Sequence, residues 1–219
     1  MSIKRAAITG VGHYLPDYIL TNAELEKYVE TNDEWIRSRT GISERRILKD
    51  PEKATSFMGA EASLEALKNA GVTADEIDAI IVATVTPDYM FPAAAALVQK
   101  KIGAVNAYAF DLSAACSGFL FALSTGAMMI ESGRAKKVIV VGADKMSSIM
   151  DFKDRTTCIL FGDAAGAVVL EEADSGGIID FVHHTEGDEE CMLYQPAGGS
   201  MNPATEETVK NRMHYLRQD

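Results

Sequence analysis

The sequence predicts an α/β protein in which a mostly parallel β-sheet is layered with helices. Three observations predict it. Strand-like and helix-like segments alternate in the order β-α-β-α-β-α-β-β-β. Residues 77–86 and 137–142 are near-continuous apolar runs, the pattern of parallel strands covered on both faces. Residues 117–132 are apolar nearly all round, so a helix there needs cover on several sides and a further layer beyond one sheet and one outer helix row.

The elements follow in order. Residues 5–12 read as a first strand ending in a turn at Gly10 and Gly12. Thr21, with Glu24 three residues on, offers a capped helix start. Asn32 opens a second, short helix that ends at residues 40–41, where Gly41 can take the left-handed conformation. Residues 53–70 form a stronger helix: Phe57, Met58, Ala62, Leu64, Ala66 and Leu67 alternate with Glu61, Glu65 and Lys68, and Gly71 terminates it. After the strand at 77–86, Pro87 and Pro92 bracket a loop that leads into a small-residue helix, 93–102. A short strand at 107–112 feeds the apolar helix 117–132, and the buried strand 137–142 follows. Residues 164–171 and 177–183 read as two more strands, separated by a turn at 173–176. From residue 198 the chain is polar and poorly patterned, and the stop after 208–216, with no capping signal, reads as a cut.

Composition narrows the function. A hydrophobic fraction of 47% with 24% charged residues calls for a true core in a 219-residue chain. A formal net charge of −11 repels a phosphate backbone, which excludes nucleic-acid binding as the main task. The longest apolar run, 118–130, is shorter than a membrane span and interrupted by Ser124, Thr125 and Gly126. No secretory leader pattern opens the chain, so the expected compartment is the cytoplasm. The three cysteines, Cys116, Cys158 and Cys191, are widely spaced, with no CxxC pair or zinc spacing, so neither a disulfide framework nor a metal is expected.

One segment carries chemistry: Asp111-Leu112-Ser113-Ala114-Ala115-Cys116-Ser117-Gly118-Phe119. A strand ends, a turn of small residues follows, and a cysteine stands at the mouth of a buried helix. A thiol at neutral pH is mostly protonated, and only the thiolate attacks a thioester. The unpaired N–H groups and positive end of a helix favour the thiolate. Small neighbours leave room for an acyl chain, and the same N–H groups can hold a developing oxyanion. Cys158, in an apolar run, and Cys191, after acidic residues, read as structural.

Four separated blocks, in order, resemble the β-ketoacyl-acyl-carrier-protein synthase III family of thiolase-like condensing enzymes. They are the Cys116 segment; Thr31-Asn32-Asp33-Glu34-Trp35-Ile36-Arg37-Ser38-Arg39-Thr40-Gly41-Ile42; Leu160-Phe161-Gly162-Asp163-Ala164-Ala165-Gly166-Ala167; and the run from Gly10 to Pro16. The resemblance implies a thiolase-like layered fold: a first βαβαβαββ half over residues 1–175, and the start of a second half over 176–219. It implies that an acyl-CoA primes Cys116 and that malonyl-acyl-carrier protein is then condensed with loss of carbon dioxide, by a cytoplasmic homodimer without a cofactor. Trp35 matches the position that stacks on the CoA adenine. Arg39 and Arg155 match those flanking adenine and phosphates, and Thr31 the one near the adenine. Phe91, Met146 and Leu160 match acyl-pocket positions, Phe91 the one that reaches into the partner's pocket. The family also uses a histidine and an asparagine from its second half. None of His13, His183, His184 or His214 stands in their context, so the 219-residue chain is expected not to condense malonyl units alone.

Other readings remain open at this level. The chain could be a non-catalytic half that needs a partner chain, or a relative that takes longer or branched acyl-CoA. A nucleotide-binding module, suggested by Thr9-Gly10-Val11-Gly12, is weak because Leu15 stands where a third glycine would, and Pro16 follows.

Overall fold

The computed structural model describes residues 5–187 and 192–218. The chain runs β1 (Arg5–Tyr14), β2 (Tyr18–Thr21), α1 (Asn22–Leu25), α2 (Asp33–Thr40), β3 (Glu44–Ile47), α3 (Thr55–Ala70), β4 (Ala79–Ala83), α4 (Ala94–Ile102) and β5 (Tyr108–Leu112). It continues through α5 (Gly118–Glu131), β6 (Lys137–Lys145), α6 (Arg155–Cys158), β7 (Asp163–Ala173), β8 (Leu193–Tyr194), α7 (Glu206–Lys210) and β9 (Arg217–Gln218). These elements fall into two compact units. The first comprises Met1–Leu15, Lys49–Asp144 and Ala164–His183; the second comprises Pro16–Leu48, Lys145–Asp163 and His184–Asp219.

The first unit is built on a five-stranded sheet in the order β1-β7-β6-β4-β5. Its centre is parallel: β4 pairs in parallel with both β5 and β6. All five residues of β4 are buried, as its unbroken apolar run requires of a strand covered twice. β1 is antiparallel to β7, so the sheet is mixed. Helices lie on both faces, and the alternation along β6 shows it. Val138 and Val140 approach Gly126 of α5, whereas Val141 and Ala143, pointing the other way, approach Gly59 of α3. Ala122, Leu123, Ala127 and Ile130 of α5 join Ile81, Val138, Val140 and Leu170 in one core cluster.

Two expectations change here. Gly10 and Gly12 do not end a strand; β1 runs through both. Their lack of a side chain lets α3 lie against the strand. A Cβ at Gly10 would sit 2.2 Å from the Ala66 carbonyl oxygen, and one at Gly12 2.2 Å from that of Ala62. Residues two apart on a strand thus meet residues four apart on a helix. The glycines serve packing, which removes the basis for a nucleotide-binding turn. Residues 177–183, expected as a strand, form none: Ile178 N–H donates to the Ala6 carbonyl at 2.8 Å, and no ladder continues from it among the described residues.

The second unit packs a short two-stranded antiparallel sheet, β2 with β3, beside α2 and α6. Each strand has four residues, too few to show a period, and the sequence reading omitted both. Leu20, Leu25, Ile36, Ile47, Met150, Cys158, Ile159 and Leu216 form its core. Arg45 is buried there without a carboxylate partner among the described residues; its guanidinium donates to the Ile159 carbonyl and the Asn22 side-chain oxygen. Asp163, also buried, accepts from the Leu48 and Ser147 N–H groups, both at 2.8 Å, and from the Ser147 hydroxyl at 2.6 Å. In the region after residue 198, Thr205 accepts from Thr208 N at 3.1 Å and opens α7.

Candidate active site

β4 and β5 run parallel in register, Ala83 beside Leu112, so their carboxyl ends finish together. The chain then turns sharply. Ala115 sits at φ 46°, the left-handed region that a residue with a Cβ rarely adopts. That turn delivers Cys116 into a 3₁₀ turn, Ala115–Ser117, directly ahead of α5. Gly118 opens the helix where a Cβ would lie 3.2 Å from that of Ala83, so the helix start abuts the end of β4. Cys116 is exposed. The expected strand, small-residue turn, cysteine and helix are all present. The helix begins two residues after the cysteine, which itself lies within the 3₁₀ turn.

Two carboxylates brace this end of the sheet. Asp111, the fourth residue of β5, accepts from the Ala94 and Ala95 N–H groups at 2.8 and 2.7 Å, and so caps α4, whose own N-cap residue, Ala93, has no side-chain acceptor. Asp144 Oδ1 accepts from the Thr84 hydroxyl at 3.0 Å, Val85 N at 2.8 Å, Thr86 N at 3.1 Å and the Thr86 hydroxyl at 2.9 Å. It thereby holds the start of the loop that carries the cis Phe91–Pro92 bond. Phe91 is 86% exposed on that loop. Neither carboxylate was singled out from the sequence. A lone acid at the end of an apolar strand was the available signal.

The second unit gathers the other predicted set. Asn32 caps α2 by accepting from Trp35 N at 2.7 Å, which fixes the first turn and the indole with it. The Arg39 guanidinium, four residues along the helix, lies 4.5 Å from the centre of the Trp35 ring. Asp154 caps α6 by accepting from Thr156 N at 2.9 Å. Arg155, the first residue of that helix, places its guanidinium 4.9 Å from the same ring and donates to the Glu30 carbonyl at 3.2 Å. Both distances are within cation–π range. Beside them, Thr31 Oγ1 is buried with no hydrogen-bond partner among the described residues. Met146 and Leu160 pack, partly buried, against this unit's core. Burial pushes the Cys158 thiol up to about 11. Cys191 lies outside the described residues. Among the described residues, no group of three or more His, Cys, Asp or Glu side chains is placed to hold a metal ion, and no helix is long and apolar enough to cross a membrane.

A mixed sheet with helices on both faces, and a cysteine on a strained turn into one of them, defines the thiolase-like fold. Residues 110–187 match the family described as 3-oxoacyl-[acyl-carrier-protein (ACP)] synthase III. The chain is 56% identical over 98% of its length to the beta-ketoacyl-[acyl-carrier-protein] synthase III of Chlorobium phaeovibrioides, and it covers 66% of that protein. Among crystal structures, the 3-oxoacyl-(acyl carrier protein) synthase III of Pseudomonas aeruginosa is 36% identical over 98% of the chain and 64% of its own, with a TM-score of 0.85. A further 3-oxoacyl-(acyl-carrier-protein) synthase III is 30% identical over 98% of the chain and 67% of its own, with a TM-score of 0.90. The chain belongs to the 3-oxoacyl-[acyl-carrier-protein] synthase III family. It spans about two-thirds of the length of the curated relatives it matches.

Proposed function

We infer that the chain belongs to an acyltransferase that initiates fatty-acid synthesis, with Cys116 as the acyl acceptor. The observation that carries this reading is an exposed sulfur on a left-handed turn at the mouth of a packed helix. The Cys116 thiolate attacks the thioester carbonyl of an acyl-CoA. The carbonyl–sulfur bond to CoA breaks, and the coenzyme leaves as a thiolate that takes up a proton. Trp35, Arg39, Arg155 and Thr31 hold the nucleotide end of the coenzyme: an indole suits a flat base, and guanidinium groups suit phosphate. Phe91, Met146 and Leu160 bound the acyl chain.

In the whole protein, malonyl-acyl-carrier protein then loses carbon dioxide. The resulting carbanion attacks the Cys116 thioester, forming a carbon–carbon bond and freeing the sulfur. A cytoplasmic homodimer, with residues 1–175 as the first half of the fold and 176–219 as the start of the second, completes the proposal. No residue of this sequence matches the family's histidine and asparagine, so the step assigned to the 219 residues themselves is the first transfer. Intact-mass measurement after incubation with acyl-CoAs of increasing length tests it. One acyl group added to the chain and none to Cys116→Ala is the expected result. Equal acylation of both rejects the nucleophile.

A further inference from the structure

The loop between β4 and α4 is fastened at its stem and bare at its tip. Asp144 gathers Thr84, Val85 and Thr86, and the Thr55 hydroxyl of α3 donates to the Thr86 carbonyl. Asp88 makes the last fastening. One carboxylate oxygen accepts from Ser56 N–H at 2.8 Å and the other from the Ser56 hydroxyl at 2.7 Å. Ser56 is the second residue of α3 and is buried, and Ala54, ahead of that helix, offers no side-chain cap. The loop thus lends α3 the carboxylate that its own start lacks, through charge-assisted bonds. Beyond Asp88 come Tyr89, Met90 and Phe91, 61%, 84% and 86% exposed. Among the described residues, no hydrogen bond holds 89–92. The chain is fixed again at Ala94, where Asp111 caps α4.

A short unfastened tip takes its direction from its two ends, and Asp88 is the end nearer to Phe91 along the bare run's entry. We propose that Asp88 is a positioning residue: by tying the loop to the first turn of α3 it fixes how far Phe91 projects, and so sets the longest acyl chain that Cys116 accepts. This rests on the reading above that Phe91 bounds the acyl chain, and it adds what holds that bound in place. Ser56, Asp88, Phe91 and Cys116 all belong to the first unit. A bound of this kind tolerates little play, since one methylene in an apolar pocket changes a rate by about tenfold or more. A tip released at one end lets the ring yield to a longer chain. A carboxylate that served only to cap α3 would change the amount of folded protein and leave the choice among chains untouched.

Acylation of Cys116 is followed by intact mass with acetyl-, butyryl-, hexanoyl- and octanoyl-CoA. The octanoyl-to-acetyl rate ratio is taken within each variant, so a smaller folded fraction cancels from it. Asp88→Ala raises the ratio about tenfold. Asp88→Asn, whose amide still offers an acceptor to Ser56 N–H and a donor to its hydroxyl, keeps it near the parent's. Phe91→Ala raises it as well, and the two alanine changes together raise it no further than Phe91→Ala alone, because Asp88 acts through that ring. An unchanged ratio in Asp88→Ala, or a double variant in which the two effects multiply, overturns the proposal and leaves Phe91 as the bound. Should Asp88→Ala not fold, Ser56→Ala, which removes one bond of the two, takes its place: a ratio raised about twofold or more upholds the positioning role, and an unchanged one overturns it. An unchanged ratio in Phe91→Ala, or no acylation of Cys116 at all, sinks the underlying reading and the positioning role with it.

Discussion

Ala115 bears the strain of the cysteine turn. A left-handed conformation costs a residue with a Cβ about 1–2 kcal/mol, and glycine escapes most of it. Ala115→Gly is therefore expected to raise stability in urea unfolding by up to about 1 kcal/mol, part of the relief being lost to the freer unfolded chain. Ala115→Val, whose branched side chain tolerates this region least, is expected to destabilise by about 1–3 kcal/mol and to slow acylation of Cys116. A valine variant as stable and as readily acylated as the parent would show that the turn holds no strain. The thiols give a second test. With its thiol pushed up to about 11 by burial, Cys158 is about one part in a thousand thiolate at pH 8. Iodoacetamide at that pH, followed by peptide mapping, should mark exposed Cys116 long before Cys158. Equal labelling in the folded chain would contradict the burial.

At the level of elements, the caps were legible in the sequence because they are local. Asn32 to Trp35 and Thr21 to Glu24 each span three residues, and both hydrogen bonds form. What escaped depends on distant partners. Asp111 caps a helix that begins 17 residues before it in the chain, and no spacing rule reports that. Removing it leaves two N–H groups unpaired, so Asp111→Ala is expected to cost about 1–3 kcal/mol in urea unfolding, and Asp111→Asn less. A loss under about 0.5 kcal/mol would mean that water replaces the carboxylate. Gly10 and Gly12 misled for the same reason: a glycine pair reads as a turn until the helix backbone against it is seen. The opposite error fell on residues 177–183, where an apolar-rich segment forms no strand.

Charge also links elements. Lys137 on β6 meets Glu76 at 3.1 Å and Glu171 of β7 at 2.8 Å. Glu76 is held down to about 2, first by the Thr73 backbone N–H, then by Lys137 and the Thr73 hydroxyl. Its folded value lies below the ordinary carboxylate value of about 4.3, so its stabilisation is complete above that pH. It fades as pH falls toward 2. Glu76→Gln should therefore be less stable than the parent at pH 6, with the gap closing between pH 4 and 2 in denaturant titrations. A gap that stays constant across that window would remove the carboxylate from the account.

On the scale of the whole molecule, two opposing features set its behaviour in solution. The buried stripe of α5 faces the sheet, but Leu120 and Met128, eight residues apart on the helix, are 54% and 57% exposed. Apolar surface left in water favours contact with another surface of its kind. The net charge of −11 works against that contact, since two copies repel wherever their fields overlap. The balance depends on range. At about 0.01 M salt the screening length is about 30 Å, so the whole charge of one copy is felt by the next. At about 1 M it falls to about 3 Å, and repulsion is confined to near contacts while apolar burial is undiminished. Self-association should therefore rise with salt, the reverse of an assembly held by ion pairs. Light scattering coupled to size exclusion at low and high sodium chloride measures it. Leu120→Gln with Met128→Gln, which leaves the charge at −11, should abolish the salt-induced rise without lowering the unfolding midpoint. If the double variant associates as strongly as the parent, the contact lies elsewhere; if association falls with salt, charge and not these two α5 side chains holds the copies together.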